Sequence, residues 1–234
     1  MRTIGLIGGM SWESSAHYYR IINQAVRARL GGGHSARCLL LSLDFAEIAA
    51  GQAAGDWDGL TAMMIDAARQ LERGGADMVL ICTNTMHLMA DDVAASVAIP
   101  LLHIGDAAGA AIVSAGHRRV GLLGTAFTME RDFYRGRLAD RFGLDVIVPE
   151  AEDRAEVHRI IYDELVQGQV SAASREVYRG VIARLVDRGA EAIILGCTEI
   201  MLLVGTADSA VPLFDTTDLH ALAAVEAALA GSIA

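Results

Sequence analysis

The sequence predicts an α/β fold: two pseudo-symmetric, doubly wound parallel-sheet lobes with a candidate site in the cleft between them. Three observations carry this. Short apolar runs ending in glycine or threonine alternate with longer amphipathic stretches, the pattern of strands joined by crossover helices. The pattern starts again midway, where Arg119-Val120-Gly121-Leu122-Leu123-Gly124-Thr125 repeats the opening Thr3-Ile4-Gly5-Leu6-Ile7-Gly8-Gly9. Finally, Gly75-Ala76-Asp77-Met78-Val79-Leu80-Ile81 has a counterpart in Gly189-Ala190-Glu191-Ala192-Ile193-Ile194-Leu195.

Taken in order, residues 3–9 read as a buried strand closed by a glycine turn. Ser11 is an N-cap candidate for a helix running to about residue 30, with Tyr18, Ile21, Ile22, Ala25 and Val26 on one stripe. Gly31-Gly32-Gly33 stops it. Residues 39–43 form a second strand, 44–55 a loop with a short helix, 58–73 a helix and 78–81 a third strand. A helix starts at Asn84 and runs to about 94, and 99–104 is a fourth strand with Pro100 near its start. Residues 105–116 are helical. In the second half, aligning Ile4 with Val120 brings Tyr18 onto Tyr134. Strands follow at 145–148 and 191–195, Ser209-Ala210-Val211-Pro212-Leu213-Phe214 answers Val97-Ala98-Ile99-Pro100-Leu101-Leu102, and helices run over 154–167, 171–188 and 219–229. Each half reads βαβαβαβα, and two halves of this length are too long for a solenoid repeat. The lobes are assigned as 1–104 plus 215–234, and 105–214.

Parallel sheets covered on both faces need apolar strands, and 53% of the chain is apolar. No run reaches the roughly 18 apolar residues of a membrane helix. The opening run reads as a strand rather than a secretory leader. Three widely spaced cysteines make no disulfide framework and point to a reducing, cytoplasmic protein. The net charge of −10, without an arginine cluster, argues against nucleic acid and anionic membranes. Cys38, Cys82, His87 and Cys197 lack metal-ligand spacing, so no metal is expected. Gly8-Gly9 does not complete a dinucleotide fingerprint.

Ligands of such sheets bind beyond the carboxyl ends of the strands. The turns at Gly8-Gly9, Thr83-Asn84, Gly124-Thr125 and Cys197-Thr198 all lie there. Two matching turns addressing one site suit proton removal from one face of a carbon and return to the other. A thiolate at a helix N-terminus fits the task, because the helix dipole lowers a cysteine pKa from about 8.5 toward neutrality. Asn84, Thr85 and Thr198, with exposed backbone N–H groups, can hold a carboxylate. No lysine sits in a pyridoxal-type context, so no cofactor is assigned.

On Ile4-Gly5-Leu6-Ile7-Gly8-Gly9-Met10-Ser11-Trp12-Glu13-Ser14, Asn84-Thr85-x-His87 and Gly196-Cys197-Thr198-Glu199, the whole chain resembles the aspartate/glutamate racemases. The resemblance implies a homodimer and cofactor-independent racemisation of a small-molecule amino acid by two cysteines. The family's first catalytic motif is Cys-Asn-Thr-x-His, and here it reads Thr83-Asn84-Thr85-Met86-His87. Thr83 thus holds the cysteine position. Matching Gly75 to Gly189 agrees: Cys197 falls opposite Thr83, and Cys82 opposite Gly196. Neighbours on a strand point to opposite faces, so Cys82 is read as a strand core residue. The catalytic pair is Cys197 and Thr83. In the family the C-terminal cysteine deprotonates the L-substrate, so turnover is expected to be kinetically biased toward L-amino acids.

The substrate-binding candidates are Met10, Ser11, Gln52, Asn84, Thr85, Thr125, Thr198 and Glu199, the last for the substrate ammonium or as a partner behind the site. His87 either orients the relay or caps its turn. Acidic-substrate members carry an arginine in the loop after the second strand; Asp44-Phe45-Ala46-Glu47-Ile48 has none. Aspartate and glutamate are expected, with neutral amino acids open. Two alternatives stay open: an isomerase or lyase of the hydantoin racemase or maleate isomerase type, and a non-catalytic small-ligand binding protein.

Overall fold

Each half of the chain closes a four-stranded parallel sheet through helical crossovers. The computed structural model describes residues 1–230. They fall into two units, Met1–Ile104 with the chain from His220, and Gly105–Leu219.

In the first unit, β1 (Ile4–Gly8), β2 (Cys38–Ser42), β3 (Met78–Ile81) and β4 (Leu101–Leu102) lie in the order β2-β1-β3-β4. Alternation along the strands sends side chains to two cores. Ile4, Leu6, Met78, Leu80 and Cys82 pack with Tyr18, Ile22 and Val26 of α1 (Trp12–Leu30). Ile7, Val79 and Ile81 pack on the other face, with Ile48 of α2 (Phe45–Ala54) and Leu60, Met64 and Leu71 of α3 (Trp57–Arg73). The α3 residues recur at three- and four-residue spacing, which lays one apolar stripe against the sheet. Ser11 caps α1 as anticipated, accepting from the Ser14 N–H. Gly9 has φ +90°, and a Cβ there would collide with the Leu43 backbone, so only glycine makes this turn.

Three expectations needed adjustment. The segment after β3 opens as a 3-10 turn, Thr85–Met89, before α4 (Ala90–Ala95). The fourth strand holds two paired residues instead of six, because only Leu101 and Leu102 align with Val79 and Leu80. The 44–55 segment is mostly helix, since Asp44 caps α2 by accepting from the Ala46 N–H.

The second unit begins in α5 (Ile104–Ser114) and repeats the topology. Strands β5 (Arg119–Gly124), β6 (Asp145–Ile147), β7 (Ala192–Gly196) and β8 (Leu213–Asp215) are ordered β6-β5-β7-β8. Its helices are α6 (Ala126–Glu130), α7 (Asp132–Phe142), α8 (Ala151–Asp163), α9 (Ala172–Asp187) and α10 (Ile200–Leu203). Tyr134 of α7, Ile160 of α8 and Val181 of α9 are fully buried. Helix α11 (Thr216–Leu229) starts with the Thr216 hydroxyl donating to the Leu195 carbonyl at 2.8 Å. It ends with Ala221, Ala224, Val225 and Ala228 in the α1 core of the first sheet.

Tyr18 and Tyr134, equivalent in the repeat, are both fully buried but differ in chemistry. The Tyr18 hydroxyl donates to His220 Nδ1 at 3.0 Å. The Tyr134 hydroxyl has no hydrogen-bond partner among the described residues. Asp215 closes β8 with Oδ1 accepting from the N–H groups of Thr217 (2.8 Å) and Asp218 (3.4 Å). Burial, with the Asp218 charge behind it, pushes the Asp215 carboxyl up to about 6.

Thermal or urea unfolding is expected to separate the tyrosines. Tyr18→Phe removes a made bond and lowers stability by about 1–3 kcal/mol, whereas Tyr134→Phe removes a desolvated hydroxyl and is neutral or stabilising. For Asp215, the folded pKa is raised, so the folded state holds more protons than the unfolded chain between about pH 4 and 6. Its contribution therefore weakens as pH rises through that window. Asp215→Asn keeps the capping oxygen, so its melting temperature is expected to gain on the wild type from pH 4 to above pH 6. A constant gap across that range contradicts the assignment.

Candidate active site

In the second unit, β7 ends at Gly196, in register with Gly124 at the end of β5. A Cβ on Gly196 would sit 2.8 Å from the Leu123 carbonyl oxygen, so glycine lets the two strand ends meet closely. The chain then turns through Cys197, Thr198 and Glu199, exposed by only 8%, 4% and 3%. The Cys197 thiol donates to Glu199 Oε2 at 3.0 Å. The Thr198 hydroxyl donates to the same oxygen at 2.9 Å.

These surroundings weigh against the expected thiolate. Burial pushes the Cys197 thiol well above its ordinary pKa, and the Glu199 charge and hydrogen bond push it the same way, outweighing the downward pull of the Glu199 and Thr198 backbone N–H groups on the sulfur. The helix expected to stabilise a thiolate is α10, only four residues long, so its dipole is slight. The nearest strong charge is negative. Cys197 is a thiol with a proton acceptor beside it.

On the neighbouring strand, Thr125 caps α6, accepting from the Thr128 N–H at 3.3 Å. Beside it, the Ala126 N–H donates to His158 Nδ1 at 3.2 Å. An imidazole nitrogen that accepts is bare, so the proton sits on Nε2. Burial lowers the His158 pKa and keeps the ring neutral. Tyr162, one helical turn on, lies with its ring 4.6 Å from His158. Burial raises its pKa, and the negative charge at Glu199 raises it further. Sequence reading placed this helix but singled out neither residue. The available signal was a histidine and a tyrosine at i, i+4, which share a helix face.

In the first unit, Met10 is buried with the α3 core, and the Ser11 hydroxyl accepts the α1 cap bond from the Ser14 N–H, which leaves its own proton to donate. Gln52 of α2 is buried, and its Nε2 reaches the Met86 sulfur at 3.5 Å. It therefore packs against the 3-10 turn that carries Thr85. Thr83 is half-buried, while Asn84 and Thr85 are buried. Cys82 packs in the α1 core, where burial raises its pKa strongly. Asn84 and Thr85 thus follow the end of β3, Gln52 of α2 packs on the same turn, and Ser11 lies in the turn after β1. Thr125, Cys197, Thr198 and Glu199 lie at strand ends of the second sheet. Among the described residues, no three His, Cys, Asp or Glu side chains are arranged to hold a metal, and no helix is long and apolar enough to cross a membrane.

The sequence profile of the Asp/Glu/hydantoin racemases matches residues 7–224. A Yersinia pestis protein solved as a candidate Asp/Glu racemase superposes with TM-score 0.91 at 52% identity, covering 98% of this chain and 100% of its own. An aspartate racemase homologue from Pyrococcus horikoshii gives 0.83 at 36%, covering 97% and 99%. The broad-specificity amino-acid racemase of Bacillus subtilis is 25% identical over 175 residues, 75% of each chain. With the profile spanning nearly its whole length, the chain belongs to the Asp/Glu/hydantoin racemase family and is, by that membership, an isomerase.

Proposed function

We propose that the protein interconverts L- and D-amino acids by two-base proton transfer at Cα, with Cys197 serving one face and Thr83 the other. The observation that carries this reading is the Cys197 thiol donating to Glu199 in a turn almost closed to water. As Glu199 takes the S–H proton, the sulfur lone pair takes the Cα proton of the L-substrate. The C–H electron pair moves into the substrate carboxylate as an ene-diolate. The Thr83 hydroxyl delivers a proton to the opposite face and is refilled from water, while Glu199 returns its proton to solvent. Asn84, Thr85, Thr125 and Thr198 supply donors for the substrate carboxylate, with Met10, Ser11 and Gln52 completing the contacts. All nineteen basic residues are arginines, so no lysine amine is available to form a pyridoxal aldimine.

A threonine hydroxyl is far harder to ionise than a thiol, so abstraction from D-substrates is slow while abstraction from L-substrates persists. The equilibrium constant between enantiomers stays at unity, and the bias is kinetic. Aspartate and glutamate head the substrate panel, as the relatives' activities suggest. Residues 44–55 contain no arginine for a bidentate side-chain contact, which keeps neutral amino acids in the panel.

The test is loss of the Cα proton in D₂O, followed by NMR with separate enantiomers and no pyridoxal phosphate. L-substrates are expected to exchange faster than D, and Cys197→Ser to abolish exchange. Thr83→Cys is expected to raise the D rate. Glu199→Gln removes the proton acceptor and is expected to slow L exchange by about 100-fold or more. Exchange that survives Cys197→Ser sinks the assignment.

A further inference from the structure

Three buried imidazoles meet in the first unit. The His87 ring lies 4.5 Å from that of His103 and 5.8 Å from that of His220, centroid to centroid. His87 Nδ1 is 2.8 Å from the Thr83 carbonyl oxygen. A carbonyl only accepts, so Nδ1 carries the hydrogen. His87 Nε2 is 3.1 Å from the Ile104 backbone nitrogen, which only donates, so Nε2 is bare. His220 is the reverse. Its Nε2 lies 2.8 Å from the Leu102 carbonyl, and its Nδ1 accepts from the Tyr18 hydroxyl. The surrounding groups therefore select opposite neutral tautomers for His87 and His220.

From this we infer that His87 is a positioning residue: its Nδ1–H fixes the Thr83 carbonyl and so orients the Thr83–Asn84 peptide. The inference rests on the reading of Thr83 as the second proton-transfer group. The β3 ladder ends at Ile81, and the Cys82 N–H makes a last bond to the Ile7 carbonyl at 2.9 Å. Beyond it, the Thr83 carbonyl is gripped from the side by the imidazole. The ring is braced through the Ile104 N–H at the start of α5, and His220 with Tyr18 braces Leu102 in β4 just before it. The Thr83 hydroxyl and the Asn84 N–H flank the peptide that this grip orients. A neutral ring bonded at both nitrogens is suited to aligning that peptide, not to carrying a proton.

Two near-isosteres separate the two bonds. Asparagine places an amide nitrogen where Nδ1 stood and keeps the donor to Thr83. Glutamine places an amide oxygen where Nε2 stood and keeps only the acceptor for Ile104. In the Cα-exchange assay, His87→Asn is expected to keep kcat within about threefold, while His87→Gln and His87→Ala lose about 10- to 100-fold with KM moving less. Loss in His87→Asn equal to that in His87→Ala, or retention in His87→Gln, overturns the inference. Amide hydrogen exchange over 83–87 gives a readout independent of turnover, with faster exchange expected in Gln and Ala but not in Asn. Imidazole ¹⁵N NMR of the wild type is expected to show Nδ1–H at His87, and Nε2–H there overturns the inference whatever the variants do. If the wild type exchanges no Cα proton, the proposed function fails while the tautomer and amide exchange still decide the role of His87.

Discussion

The chemistry proposed for the second unit depends on one short contact, a cysteine thiol donating to a carboxylate two residues away in a turn that water barely reaches. Three features of the fold produce it. The glycine pair at the ends of β5 and β7 lets the strands close, burying the turn. The following helix has four residues, so its dipole adds little to what the turn's own N–H groups offer the sulfur. The Thr198 hydroxyl fixes Glu199 by donating to the same oxygen as the thiol. A resting thiolate beside Glu199 would set two like charges in a dry site. A thiol beside a carboxylate instead carries one charge and a ready proton path.

The two units run the same topology with different polar fittings at the strand ends. In the first, backbone carbonyls and amides are held by imidazoles, and the repeated tyrosine is used to hold one of them. In the second, a histidine from α8 accepts from the Ala126 N–H, and the matching tyrosine hydroxyl is left without a hydrogen-bond partner among the described residues. The backbone repeats while the side chains divide their labour.

Much of this architecture was legible in the residues. Glycine-terminated apolar runs marked the strands because buried parallel strands have little choice of composition. The off-register cysteine was legible as well: parity along β3 sends Cys82 into the α1 core, where the structure finds it. The protonation of Cys197 was not legible. It depends on the four-residue length of α10 and on Glu199 folding back onto the sulfur. His158 and Tyr162 were missed for a related reason: their place beside the β5 turn is set by how α8 packs, which sequence spacing does not encode.

The account stands or falls on the resting state of Cys197. The pH dependence of its alkylation, read by peptide mass, in wild type and Glu199→Gln measures that state directly. The account predicts that wild-type Cys197 ionises above the free-cysteine value of about 8.5. It also predicts that Glu199→Gln, relieved of the neighbouring charge, ionises at lower pH yet exchanges Cα protons more slowly. A Cys197 already ionised at neutral pH, unmoved or raised by Glu199→Gln, would contradict it.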